Sequence, residues 1–332
     1  MTQKVPITMA CWNYDRMRAL MEGRVEIEGV DLTYIPLEIP ESCYRMLHFG
    51  DFDVCEMSMA WYVRSLFVNP RPFVAIPVFP SRSFRHSGIY VNVDSGIGAP
   101  ADLRGKRVGC PEYQQSAGVW IRGILADRYD VALDSVTYLT GGLVQAGRKE
   151  LPLGRLPPGI VVEPIPAGET LSKMLERGDL DAVYTAHVPE CFAAGSPRVR
   201  RLFPDYVEAE KQYYRDTGIF PVMHTLVISS VQLARHPWLA ASLLKACEQS
   251  KQLAYPALYE PAYVSAMLPW MMAEAESTRA LFGEDDFWPY GIERNRETLA
   301  TFLRYAHEQG IIPDAPAPED LFPPSTLQSA RK

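Results

Sequence analysis

No two of the six cysteines are spaced as CxxC, no apolar run approaches the 18 residues of a membrane span, and no GxGxxG or phosphate-loop lysine follows any glycine pair. These absences argue against a disulfide framework, a cysteine-rich metal site and a nucleotide fold. The scattered thiols Cys11, Cys43, Cys55, Cys110, Cys191 and Cys247 read as reduced and mostly buried, which predicts a cytoplasmic protein. The apolar run at the N-terminus is too short for a signal peptide and meets a charge at Asp15. Positive charge is scarce as well. Thirty-three Lys and Arg face 40 Asp and Glu, a net charge of -7, so neither nucleic acid nor an anionic membrane is expected as a partner. Among the cations, 25 are Arg and only 8 are Lys. Genome composition can produce that bias, but it also supplies planar forks for carboxylates.

What is present fits a globular chain of two domains: 332 residues, 47% hydrophobic and 22% charged. Short strands alternate with short helices over the first 80 residues, at Val5 to Ala10, Asp31 to Ile35 and Phe52 to Met57. A helix carrying Cys43, Met46 and Leu47 stops at Gly50. A second unit of the same kind begins after Arg82 to His86, with strands at Ser87 to Val93, Leu103 to Gly109, Ile160 to Pro164 and Asp181 to Tyr184. Its helices carry Val119, Trp120, Ile124 and Leu125, and Leu171, Met174 and Leu175. Gly141 to Gly159 reads as a surface loop. From Val222 to Ser229 one more strand precedes helices opened by Pro237 and ending near Gln309, and Pro313 to Lys332 reads as an irregular strap.

This pattern predicts an α/β protein of two discontinuous domains, 1–87 with 225–332 and 88–224, crossing near 82–90 and 218–228. A ligand cleft is expected between them.

The strings RMLHFGDFDVCEMSMAWY, IPVFPSRSFRHSGIYVN, DLRGKRVGCPEYQQSAGVWIRGIL, RLFPDYVEAEKQYYRDTGIFPVMHTLVI and WPYGIERNRETLATFLRYAHEQG resemble the 4,5-dihydroxyphthalate decarboxylase family. The resemblance covers nearly the whole chain. It implies a type II periplasmic-binding-protein-like fold and decarboxylation of 4,5-dihydroxyphthalate to 3,4-dihydroxybenzoate. A related hydroxylated aromatic acid as substrate, or a cytoplasmic aromatic-carboxylate-binding protein without catalysis, are the alternatives.

Arene decarboxylation needs a proton for the ring carbon, and a base near the ring hydroxyl would strengthen it as an electron donor; His and shielded carboxyls suit both tasks. His86 and His224 on the two crossings, Glu56 at a strand end and Glu112 before a helix are the catalytic candidates. Each has a plainer reading as a packed histidine or a member of an ion pair. Substrate binding is expected from Arg82 and Arg85, which suit adjacent carboxylates, and from Ser58 and His187 at strand ends. Tyr113, Gln115 and Ser116 lie at a helix N-terminus, where free amides attract anions, and Trp12 and Tyr14 form an aromatic wall. No cofactor and no metal are expected, the partner is a small aromatic dicarboxylate, and a homo-oligomer is compatible with the sequence.

Overall fold

A computed structural model of the protein describes residues 3–150 and 154–327; the remainder of the expected loop, 151–153, and of the strap, 328–332, lie outside the described residues. The chain forms two compact units. Unit 1 comprises Met1–Arg82, Val222–Leu299 and Pro316–Lys332, and unit 2 comprises Ser83–Pro221 and Ala300–Ala315. The strands are β1 (Val5–Ala10), β2 (Val30–Ile35), β3 (Val54–Ser58), β4 (Phe73–Ile76), β5 (Ile89–Asn92), β6 (Arg107–Cys110), β7 (Thr137–Thr140), β8 (Val161–Pro164), β9 (Ala182–Tyr184), β10 (Val199–Arg201) and β11 (His224–Ser229).

The sheet of unit 1 runs β2-β1-β3-β11-β4. Strands β1, β2 and β3 are parallel, and β11 pairs antiparallel with both β3 and β4. Every residue of β3, Val-Cys-Glu-Met-Ser, is buried, as expected of a strand covered on both faces. Glu56 is its single charge, and a carboxylate in that position requires partners. On one flank the helix Ile39–Phe49 buries Ser42, Cys43 and Met46 and ends at Gly50, whose φ of 64° closes the helix with a left-handed residue. The parallel order gathers the C-terminal ends of β1 and β3 along one edge of the sheet, the edge where α/β folds place ligands. Strand β11 starts at that same edge, with His224 opposite Ser58.

Unit 2 has a sheet ordered β10-β5-β9-β6-β7-β8, parallel from β9 to β8 and antiparallel at the β5 and β10 edge. Leu171, Met174 and Leu175 of one helix pack with Tyr90, Leu180 and Val183 into an apolar cluster. The helix Ser116–Tyr129 is buried from Ser116 through Leu125, all the way round.

The end of the chain departs from the expected domain plan. Residues 300–315 belong to unit 2, not to the first domain with the rest of 225–332. The reason is packing: Trp120, fully buried, lies 5.5 Å from the Phe302 ring and 5.7 Å from Tyr305, and Arg122 Nε donates to Gln309 Oε1 at 2.7 Å. The final helix, Arg296–Glu308, therefore opens in unit 1 and finishes in unit 2.

Candidate active site

Three elements of unit 1 meet around Glu56. Strand β3 supplies the carboxyl, completely buried. In β11 the residue opposite Glu56 is Leu226, which puts His224 two residues along on the same face, a diagonal cross-strand neighbour. The turn after β1 delivers Cys11, Trp12 and Tyr14. The result is a fully ligated carboxylate. Its Oε1 accepts from the Tyr14 hydroxyl at 2.7 Å and from His224 Nδ1 at 2.7 Å; its Oε2 accepts from the Trp12 amide at 3.1 Å and the Cys11 thiol at 3.3 Å.

Burial alone would raise the Glu56 pKa, but the hydrogen bond and charge of His224, with the Trp12 amide and Tyr14 hydroxyl, outweigh it and hold the group below its usual value. Glu56 is thus the ionised member of the cluster. An ionised acceptor requires the hydrogen of His224 to sit on Nδ1, leaving Nε2 as the working nitrogen. His224 keeps 19% of its side-chain surface exposed, so the ring has an outlet that Glu56 lacks. Tyr14 stays a protonated donor, because burial and then the Glu56 charge push its phenol well up. Behind it, Tyr34 donates to the Trp12 carbonyl at 2.9 Å and fixes the turn.

Arg16 completes this corner. Its guanidinium lies between two rings, 4.2 Å from the Tyr14 centroid and 4.1 Å from that of Trp288. Nε donates to the Pro80 carbonyl at 2.6 Å, while Nη1 pairs at 3.0 Å with Asp15, a residue whose side chain is 53% exposed. Nη2 donates to the same Pro80 carbonyl, so the main chain takes the Nε side of the guanidinium, and Nη1 is the place where another carboxylate can replace the exposed Asp15. Arg16, Trp288 and Cys11 were absent from the sequence-predicted site. Arg16 was within reach, in the same polar turn as Tyr14, whereas no local pattern joins Trp288 to it.

The structure brings together Glu56, His224, Tyr14 and Trp12, with Ser58 opposite His224 in the sheet. The other candidates lie elsewhere. Arg82 is buried within unit 1, where its Nη2 donates to the Pro289 carbonyl at 2.8 Å and to Asn295 Oδ1. Burial lowers its pKa to about 9. Its observed role is to tie the chain at 289–295, a correction to the expected ligand-facing position. His86–Gly88 is a 3-10 turn, so the strand expected from Ser87 begins only at Ile89. In unit 2, Arg85 is half-buried, and burial, opposed by the Glu210 charge, brings its pKa down to about 10. Glu112 accepts from Arg148 at 2.6 Å, the plainer ion-pair reading. Tyr113 is a core residue donating to the Gln309 carbonyl at 3.3 Å; Gln115 is the N-cap of the helix Ser116–Tyr129, and Ser116 is buried in its first turn. His187 is exposed, its amide donating to Thr185 Oγ1 at 3.0 Å. No three His, Cys, Asp or Glu residues among those described group as ligands for a metal ion.

His86 is 2% exposed inside a cage of Tyr129, Phe203 and Tyr213, its ring 5.0 Å from that of Phe203. Neither ring nitrogen has a hydrogen-bond partner. Burial, with a smaller push from Arg128, lowers its pKa from 6.5 to about 4. The unfolded chain therefore takes up this proton first as the pH falls. Stability from the neutral ring is intact above pH 6.5 and is lost on the way down to about 4, on the order of 3 kcal/mol in total. Urea melts at pH 7 and 4.5 should show that loss in the wild type and a smaller one in His86→Phe. Equal losses in the two proteins would assign the acid sensitivity to other groups.

No family model matches the chain. It is 38% identical over 326 residues to the 4,5-dihydroxyphthalate decarboxylase of Comamonas testosteroni, covering 98% of both chains. With the protein of the same description from Pseudomonas putida it shares 41% over 212 residues, 64% of this chain and 82% of that one. Among solved structures it resembles the periplasmic aliphatic sulphonate binding protein SsuA of Escherichia coli, with a TM-score of 0.54 at 11% identity over 97% of this chain and 98% of that one. It also resembles a putative periplasmic sulfonate-binding protein of Methylobacillus flagellatus, TM-score 0.52 at 10% identity over 98% and 93%. These likenesses show the fold, that of type II periplasmic-binding proteins.

Proposed function

The chain belongs to the 4,5-dihydroxyphthalate decarboxylase family, and we propose that it converts 4,5-dihydroxyphthalate to 3,4-dihydroxybenzoate and carbon dioxide, with the Glu56–His224 pair handling the proton. The substrate class is a small aromatic dicarboxylate. One observation carries the assignment of roles: a buried carboxylate bonded to Nδ1 of a histidine whose side chain still reaches the surface. This is the arrangement in which a carboxylate orients an imidazole and stabilises its protonated form.

In the reaction the hydroxyl para to the departing carboxylate pushes electron density into the ring. The imidazolium of His224 delivers a proton from Nε2 to the carbon that bears that carboxylate. The C–CO2 bond then breaks, its electron pair restores aromaticity, and carbon dioxide leaves. The proton gained by the ring replaces the carbon lost, so the step needs no oxidant. Glu56 stays ionised throughout and compensates the charge on the histidine. Arg16 is the group suited to the carboxylate that remains, taking it on Nη1 in place of Asp15, while the rings of Tyr14 and Trp288 hold the planar guanidinium in orientation. The six free thiols, all buried, support a reducing compartment, the cytoplasm, as the place of reaction.

Purified protein mixed with 4,5-dihydroxyphthalate should release carbon dioxide and 3,4-dihydroxybenzoate. Binding without product would turn the reading to a carboxylate receptor, and no binding would move the substrate class. Arg16→Ala should weaken binding of the unreactive diacid phthalate by tenfold or more, about 1.4 kcal/mol, with Arg16→Lys between the two. Unchanged affinity in calorimetry for both variants would remove Arg16 from the site.

A further inference from the structure

Residues 261–273 of unit 1 read Pro-Ala-Tyr-Val-Ser-Ala-Met-Leu-Pro-Trp-Met-Met-Ala, thirteen in a row without a charge. Such a run in an acidic protein would ordinarily be interior. Here every residue from 261 to 270 is exposed. Tyr263 is 81% exposed, Met267 102%, Leu268 62% and Trp270 76%. Isolated apolar residues on a surface need no explanation, but a contiguous set does, because keeping it in water costs free energy that a partner would recover. Tyr, Met and Trp are also the side chains enriched where proteins meet.

Beside the segment lies a recess of about 90 Å³, bordered by Ser265, by Leu253 and Leu258 on an apolar wall, and by Arg18, Arg24 and Asp15 on a charged one. Raised apolar side chains and a recess therefore share one surface. An indole suits that recess on both counts, packing on the apolar wall and offering its face to a guanidinium. The charges fit the same pairing. Glu260 and Glu274 flank the uncharged run, while Arg18 and Arg24, the latter paired with Glu22, outnumber Asp15 on the recess, so a second copy would set acidic flanks against a wall where Arg18 brings the surplus positive charge. Two-fold contacts need this kind of self-complementarity. Six exposed apolar side chains between Tyr263 and Met272, with each aromatic contributing roughly 150–250 Å², approach the approximately 800 Å² per partner of a stable interface. The acidic flanks and the net charge of -7 count against an anionic lipid surface as the occupant.

We propose that this surface joins two copies of the chain about a two-fold axis, the 263–272 segment of each seated on the recess of the other. Sedimentation velocity and light scattering on the full chain over a range of concentrations should give a dimer, or a larger even-numbered assembly. The double variant Met267→Glu, Trp270→Glu should weaken that association at least 100-fold while the circular dichroism melt stays as in the wild type. A wild-type monomer at all concentrations would overturn the proposal, as would a well-folded double variant that associates unchanged. If the double variant fails to fold, Trp270→Ala and Arg18→Glu serve separately, each expected to loosen the dimer. Full retention of the dimer in both would overturn it. A monomer that instead floats with vesicles of neutral phosphatidylcholine would reassign the surface to lipid.

Discussion

His224→Gln is expected to lower kcat by roughly 100-fold or more while KM for 4,5-dihydroxyphthalate changes far less. Gln keeps a comparable length and a hydrogen-bonding end but has no ring nitrogen to carry and deliver a proton. The lost contribution belongs to the transition state, where the ring carbon receives its proton, and not to the bound substrate. A factor of 100 is the lower end for a positioned acid or base. Folding should survive, because the ring is partly exposed and Glu56 retains the Tyr14, Trp12 and Cys11 donors. Stopped assays at saturating substrate, paired with phthalate calorimetry, separate the two parameters. A folded variant with wild-type turnover would remove His224 as the acid, whereas loss of phthalate binding with kcat preserved would make it a substrate contact.

Trp120→Ala should cost about 3–5 kcal/mol of stability in unit 2, the range for emptying a large aromatic from a packed interior. The indole is fully buried and touches the only part of unit 2 that comes from far along the chain, through Phe302 and Tyr305. Its neighbour Gly123 shows how little slack exists, since a methyl group there would sit 2.2 Å from the Tyr305 ring. Chemical denaturation followed by circular dichroism should show an earlier transition for this variant. Limited proteolysis should cut first within 300–315. A cost below about 1 kcal/mol would mean that the cavity collapses or that the late segment is held elsewhere.

Strands with strong apolar content, such as β1, β3 and β11, were legible because buried β-branched and sulfur-containing residues cluster between turn signals. Strand β10 is Val-Arg-Arg, whose one apolar residue beside two charges gives no strand signal. The helix Tyr206–Thr217 buries only Tyr213, so its pattern offers almost no apolar stripe. Glu56 and His224 were readable as chemistry but not as neighbours. They are 168 positions apart in sequence, and only the antiparallel insertion of β11 beside β3 makes them adjacent. His86 and Arg82 misled for the opposite reason. Residue type suggested reactivity, while the surroundings, an aromatic cage and a pair of backbone and amide acceptors, are those of interior anchors.

The split of the last helix between two units has a consequence during synthesis. Neither unit is a contiguous stretch of chain, and the middle portion, Ser83–Pro221, leaves the ribosome without the segment that covers Trp120 and Arg122. Until residues 300–315 appear, an indole and a guanidinium stay open to other chains. Closure is then a long-range event, slow by the entropy of joining distant residues and exposed to aggregation while it waits. A premature stop before Ala300 would leave both units unfinished.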